Sequence, residues 1–266
     1  MTQGYFLIAI GKYYIDECYQ LAQTIRKQGD TRPISLLVNP DDIEYARSKD
    51  MFDQFVEFAP NDTLWNSCNT SFEKYCLYPR VMLNEYLPYD ENITVDSDMI
   101  CQYSPEKVWS YFASKTSPIG MLGRKNDPNW HWGYIGEVSK AFGQHVPHVH
   151  GGFFYTKKCY DLDRFFAYCR FVFYEYDRYG CRRMFRGGKV DEIIFAIAHS
   201  FFKMYPTEFD QFPVMTFNYS PDIEVPSKLQ TENQQNIMMD DYIPFVHMFD
   251  KMEGANYKAL YDKVMK

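Results

Sequence analysis

Asp96-Ser97-Asp98 places two carboxylates where a buried hydrophobic run, Asn92-Ile93-Thr94-Val95, gives way to Met99-Ile100. On a strand, residues i and i+2 share a face, and in open α/β sheets ligands collect beyond the carboxyl ends of the strands. A hard divalent cation takes carboxylate oxygens, and Mg²⁺ or Mn²⁺ commonly uses one or two of them while substrate phosphates fill other positions. The chemistry implied is a metal site that handles a diphosphate. D-x-D alone also fits a solvated turn, so the elements that position it have to decide.

Those elements alternate. Phe6-Leu7-Ile8-Ala9-Ile10 reads as a buried strand, and Tyr14 to Lys27 follows with apolar residues at helical spacing, ended by Gly29-Asp30. Ile34 to Val38 is a second strand, Asp41 to Ser48 a short helix and Phe55 to Phe58 a third strand, the βαβ order of a parallel sheet. Phe72 to Tyr86 reads as helical apart from Pro79 and leads into the strand that carries Asp96 and Asp98. Gly120 to Gly143, with Trp130, Trp132 and Tyr134, reads as a long functional loop. Gly151 to Tyr155 reads as a strand, Leu162 to Tyr176 and Asp191 to Phe202 as helices, Ile243 to Phe249 as a last strand and Tyr257 to Val264 as an amphipathic tail. The segment Ser220 to Asp241 is polar, and there is no internal repeat.

The 266 residues suit one domain, with 1–100 as a nucleotide-binding half and 101–266 as an acceptor and sugar half. Hydrophobic residues at 46% and charged residues at 24% argue against disorder, and 23 Tyr with 22 Phe make the chain rich in rings. A net charge of −7 offers no basic field for counterion release, which disfavours stable nucleic-acid binding. No signal peptide and no membrane span can be read, and seven cysteines without a C-x-x-C pair fit reduced thiols, so a cytoplasmic protein is expected.

The order of these segments, with D-S-D at a strand end, resembles the GT-A glycosyltransferases, and more narrowly the glycogenin-like retaining group that uses nucleotide sugars. Phe6–Ile25, Lys74–Ile100, His150–Lys157 and Val190–Ala198 carry the resemblance, with Val246–Lys251 as a looser fifth segment. It implies an α/β fold, a single Rossmann-like GT-A domain with a mostly parallel mixed sheet flanked by helices. It also implies a site. Ala9, Ile10 and Tyr14 would hold the nucleobase. Arg80, sixteen residues before Asp96, is favoured over Lys74 as the cation that reaches the donor phosphates or sugar. Asp96 would touch ribose and metal, Asp98 the metal most directly, and Ser97 lies between them. His247 resembles the histidine that completes the metal shell.

The family's H-x-x-G-x-x-K is altered here to His247-Met248-Phe249-Asp250-Lys251, with the lysine early and no glycine between, which puts Lys251 as a diphosphate clamp in doubt. His150-Gly151-Gly152 resembles the small-residue element against which the donor sugar lies. Asp191-Glu192 opens a helix as the family's D-Q pair does, and Asp191 would mainly orient the sugar. Duller roles exist for each: a core tyrosine, a surface ion pair, a structural histidine, or a helix N-terminal carboxylate stabilised by roughly 0.3–1 kcal/mol. His145, His148 and His150 could instead form a separate metal cluster. Arg182, Arg183, Arg186 and Lys189 could meet an anionic acceptor or the diphosphate, or form a solvated face.

The activity implied is transfer of a sugar from a nucleotide-diphosphate donor, a UDP-sugar first among them, to an acceptor hydroxyl with retention at the anomeric carbon. Mn²⁺ or Mg²⁺ would be the cofactor and a carbohydrate or glycoconjugate the acceptor, and the resemblance allows a homodimer. Two other classes stay open: a non-catalytic nucleotide-sugar-binding or scaffolding protein of the same fold, and a sugar nucleotidyltransferase. The latter lacks support from a G-x-G-x-R type loop, since only Gly11-Lys12 follows the first strand.

Overall fold

A computed structural model describes residues 1–126, 135–184, 187–209, 211–212, 214–218, 243–248 and 251–266. Trp130, Trp132, Tyr134, Arg186 and the polar segment 220–241 lie outside the described residues. Strands β1 (Gln3–Ala9), β2 (Ile34–Val38), β3 (Gln54–Glu57), β4 (Glu91–Val95), β6 (Ile119–Arg124), β7 (His148–Lys157) and β8 (Thr207–Glu208) form a mostly parallel seven-stranded sheet of order β3-β2-β1-β4-β7-β6-β8. A second sheet has the order β5-β10-β9, from Met99–Cys101, Phe245–Met248 and Met215–Asn218. The chain divides into two compact units. The first holds Met1–Thr2, Ala59–Ile93 and Thr116–Glu208, and the second holds Gln3–Phe58, Thr94–Lys115 and Phe209–Lys266.

In the second unit, β1 pairs with β2 and β2 with β3, both in parallel. Every residue of β2 is buried, as its unbroken run Ile-Ser-Leu-Leu-Val requires of a strand covered on both faces. Helix α1 (Lys12–Lys27) buries Ile15, Cys18, Leu21, Ala22 and Ile25, and Arg26 and Lys27 complement the negative end of its dipole. The chain leaves α1 at Gly29, where φ is +80°, a region that favours glycine. Tyr5 is fixed in the core by donating to Asp30 Oδ2 (2.7 Å) and accepting from the Trp109 ring N–H (3.0 Å). In the smaller sheet β10 runs antiparallel to β5 and parallel to β9. Ile100, Val246, Met248 and Tyr257, the last from the terminal helix α10 (Ala255–Met265), form a buried cluster beneath it.

In the first unit, β6 and β7 pair antiparallel with a shift in register between Met121 and Leu122. Helices α8 (Tyr160–Tyr174) and α9 (Asp191–Phe201) bury Phe165, Phe166 and Phe195. One sequence expectation fails here and another holds in a less regular form. The stretch read as a long loop from Gly120 contains most of β6 and a helix, α7 (Ile135–Phe142); its glycines and tryptophans hid two short elements with apolar faces. The stretch from Phe72 to Tyr86, read as helical apart from Pro79, is helical through Pro79 as a π-helical turn Glu73–Leu77 followed by two short helices, α4 (Tyr78–Val81) and α5 (Leu83–Tyr86). Pro79 has no N–H to offer the carbonyl of Tyr75, and the wider turn accommodates that loss. All seven cysteines are free thiols. Among the described residues no helix is long and apolar enough to cross a membrane.

His199 of α9 is buried against the edge of Phe165, with ring centroids 5.2 Å apart. Its Nδ1 lies 3.1 Å from the Met204 carbonyl, so the neutral tautomer donates there. Burial holds its pKa down to about 4 from the ordinary 6.5, the bond to Met204 opposing only in part. Between those two values the unfolded chain takes up a proton that the folded chain refuses. Stability therefore falls as pH drops from 6.5 towards 4, by roughly 3 kcal/mol from this group, and this loss levels off below. Urea denaturation of wild type and His199→Met across this range should show the difference between the two curves changing by that amount; parallel curves would mean that folded His199 takes up its proton as readily as the unfolded chain does.

Candidate functional site

Strand β4 ends at Val95 and β5 begins at Met99, so Asp96-Ser97-Asp98 forms a turn. This corrects the reason for the convergence of the two carboxylates, which comes from the turn and not from strand alternation. The antiparallel β5–β10 ladder sets His247 opposite Met99, and the Met248 N–H donates to the Asp98 carbonyl (2.9 Å). His247 Nε2 consequently lies 3.1 Å from Asp98 Oδ1 and 3.8 Å from Asp96 Oδ2. One ligand atom from each of the three lies within 4.8 Å of the others.

Donors about 2.1 Å from one ion sit at most about 4.2 Å apart, so small shifts let this set close on a cation. Two carboxylates and an imidazole fit Mn²⁺, and less closely Mg²⁺. Among the described residues this is the single such group. His145, His148 and His150 do not make a second, as His145 meets the Lys125 carbonyl and His150 belongs to the first unit's cluster below.

Burial alone would push the Asp98 carboxyl up, but His247 and then Lys251 outweigh it and hold Asp98 below the usual carboxylate range. Lys251 thus acts on this acidic group even though its spacing departs from the motif. Its backbone takes a φ of +54°, doing itself the left-handed turn for which a glycine is cheap, and its ammonium lies 5.8 Å from the Tyr14 ring. Tyr14 also meets Tyr13 edge to face, and Ala9 and Ile10 are buried at the end of β1.

One acidic residue here escaped the sequence reading. Glu17, fully buried on the apolar side of α1, accepts from Ser97 Oγ at 2.6 Å and so holds the middle of the turn. Burial pushes its carboxyl up and the charge of Asp98 adds to this, while the Ser97 bond opposes. Its position three residues after Tyr14 and four before Leu21 was a signal, since a carboxylate on an apolar helical face needs a partner.

The second cluster lies wholly in the first unit. Arg80 of α4 pairs with Asp191 at the start of α9, Nη1 to Oδ2 at 2.5 Å. Glu192 Oε1 accepts the Gly151 N–H (2.9 Å) and lies 3.9 Å from His150 Nε2. The Gly152 N–H donates to His150 Nδ1 (3.0 Å), which fixes the neutral tautomer with its proton on Nε2. Gly151 is needed for closeness: a Cβ there would stand 2.8 Å from Asp191 Oδ2 and 3.1 Å from Arg80 Nη1. Of the two cations considered from sequence, Arg80 joins this cluster, whereas Lys74 sits over the Trp65 ring at 5.2 Å. Of the basic run, Arg182 and Arg183 are exposed while Lys189 is buried. Arg183 grips Asp177 through two bonds of 2.8 and 2.9 Å, and Lys189 is buried over Phe173.

No protein-family model and no curated protein sequence matches the chain. Solved structures do match its fold. It is similar to the galactosyltransferase LgtC in complex with donor and acceptor sugar analogs, with a TM-score of 0.62 at 11% identity over 100% of this chain and 95% of that one. It is similar to mouse xyloside xylosyltransferase 1, apo form, with 0.59 at 10% identity over 93% and 98%. A third likeness is to the glycosyltransferase GlyE of Streptococcus pneumoniae TIGR4, apo form, with 0.55 at 11% identity over 100% and 60%. These establish the fold as that of the GT-A glycosyltransferases.

Gly151→Ala should lower stability by about 1–3 kcal/mol, the usual cost of overpacking. Because the added methyl strikes Asp191 and Arg80, the cost should shrink in an Asp191→Ala background. Thermal melts of the two single variants and the double one measure this, and strictly additive losses would contradict the packing described.

Proposed function

We propose that this chain is a metal-dependent glycosyltransferase that moves a sugar from a nucleotide-diphosphate donor, a UDP-sugar in the first instance, to a hydroxyl of a carbohydrate or glycoconjugate with retention of configuration. The observation that carries the reading is the Asp96, Asp98 and His247 triad, whose ligand atoms lie within 4.8 Å of one another in a GT-A fold. Asp96 and Asp98 hold the metal through carboxylate oxygens and His247 through Nε2. Mn²⁺ is favoured by the imidazole. When bound, the cation supplies Lewis-acid neutralisation of charge on the departing diphosphate.

The remaining steps belong to the chain's own side chains. Glu17, through Ser97, keeps the turn from opening. Lys251 adds a second positive charge for the diphosphate, and Tyr14 offers the nucleobase a ring to stack on, with Ala9 and Ile10 as its backbone edge. Asp191, kept in place by Arg80, orients the donor sugar through its hydroxyls. Gly151 and Gly152 let the sugar lie against the backbone, with His150 and Glu192 beside them. No side chain is assigned as a strong base, because in a retaining reaction of this kind the leaving phosphate oxygen takes the acceptor proton. Under this reading residues 1–266 act as one catalytic domain, and the likeness to the glycogenin-like group is the narrower family statement.

Calorimetry with UDP, GDP, CDP and TDP, each with and without Mn²⁺, tests it. One diphosphate should bind only with Mn²⁺, and Asp98→Ala should weaken that binding by roughly a hundredfold or more, since even residues behind a metal's ligands cost 10–100-fold when lost. Binding that ignores both Mn²⁺ and Asp98 would leave the triad as a structural turn and remove the enzymatic reading.

A further inference from the structure

We propose that Glu73 is a positioning residue that sets Arg80 against Asp191 and thereby governs how tightly the sugar part of the donor is held; this rests on the reading of the preceding subsection. Glu73 is fully buried, and both of its carboxylate oxygens are committed. Oε2 accepts the Asn69 N–H at 2.7 Å, and the Glu73 N–H donates to Thr70 Oγ1 at 3.0 Å. This T-x-x-E exchange caps the start of the helical segment that carries Arg80. Oε1 accepts the Lys189 N–H at 2.9 Å, from a residue 116 positions away, and lies 3.6 Å from Arg183 Nη1. One carboxylate therefore closes the end of one segment and tethers another.

The tether matters because of where its two ends lead. Arg80 follows Glu73 by seven residues, about two helical turns, and Asp191 follows Lys189 by two. The two segments are joined twice, at Glu73 to Lys189 and at Arg80 to Asp191. No side chain caps α9 at Val190, so its start depends on neighbours. Val190 donates its N–H to the Tyr176 hydroxyl (3.0 Å), and Gly188 packs so closely that a Cβ would lie 3.0 Å from Thr70 Oγ1.

Charge is needed as well as shape. The Lys189 ammonium is buried 3.8 Å from the Phe173 ring centroid, and Glu73 opposes the effect of that burial on its pKa. A glutamine at 73 has one oxygen for two N–H donors and no charge, so it must release one of the two segments.

The test uses wild type, Glu73→Gln and Glu73→Ala. Calorimetry with Mn²⁺ present compares the nucleoside diphosphate that wild type binds with the matching nucleotide sugar, and amide hydrogen exchange is followed at Lys189 and Val190. In Glu73→Gln the diphosphate should bind within about twofold of wild type and the nucleotide sugar about tenfold more weakly, with faster exchange at both amides. If Glu73→Ala does not fold, the Gln variant decides. Equal loss of both ligands would make Glu73 merely structural and overturn the inference, as would a Gln variant indistinguishable from wild type. Wild type that binds neither ligand with Mn²⁺ defeats the functional reading itself and this role with it, an outcome separate from any difference between variants.

Discussion

The candidate metal triad depends on one short antiparallel pairing, Met99–Cys101 of β5 with Phe245–His247 of β10. Asp96 and Asp98 bring two carboxylates together, and a neighbouring like charge disfavours the charged form unless positive charge is brought to the pair. The ladder brings His247, and the turn after it brings Lys251. Because side chains alternate along a strand, a slip of one residue would exchange His247 for Val246 or Met248 at the same place. The slip is resisted from below, where Ile100, Val246, Met248 and Tyr257 are packed together out of water. Burying each such side chain is worth about 1.5–3 kcal/mol, so an apolar cluster with no chemistry of its own determines whether a polar site exists.

In the first unit the constraint is lack of space. Asp191 and Glu192 open a helix whose dipole favours them, but the dipole alone is worth roughly 0.3–1 kcal/mol, too little to hold two adjacent carboxyl groups nearly out of water. The Arg80 guanidinium supplies the counter-charge to one, and the Gly151 N–H meets the other. Both contacts need a backbone without a side chain at 151. Glycine here serves close approach; its tolerance of positive φ is used elsewhere, at Gly29 and Gly180.

Most of the fold could be read from residue spacing. The β2 run and the α1 periodicity are strong signals, since each is long enough to bury a full face, and the boundaries of β2 fall as read. Some elements after residue 115 were harder. Strand β6 contains two glycines and β8 has two residues, and neither offers a period to detect. The candidate metal ligands were legible because carboxylates at i and i+2 are conspicuous, yet the geometry that joins them is a turn. Glu17 and Glu73 were not singled out. Glu17 left the trace of its place on an apolar helical face, but for Glu73 a sequence does not distinguish a solvated glutamate from one whose oxygens meet N–H groups far along the chain. Arg80 was favoured over Lys74 by its spacing to Asp96, and packing adds what spacing does not give, the tryptophan ring under one cation and the carboxylate beside the other.

The two compact units are each made of three separate stretches of chain, so the polypeptide passes from one to the other at residues 2–3, 58–59, 93–94, 115–116 and 208–209. A ribosome releases the chain from its amino end, and domains generally fold as units as they emerge. The carboxylates of residues 96 and 98 leave the ribosome long before β10 does. Until β10 follows they have no imidazole beside them, and the ladder that fixes their turn has no partner strand. The candidate triad is therefore complete only once residue 248 has emerged, and a product stopped before β10 carries the acidic pair without the imidazole that faces it.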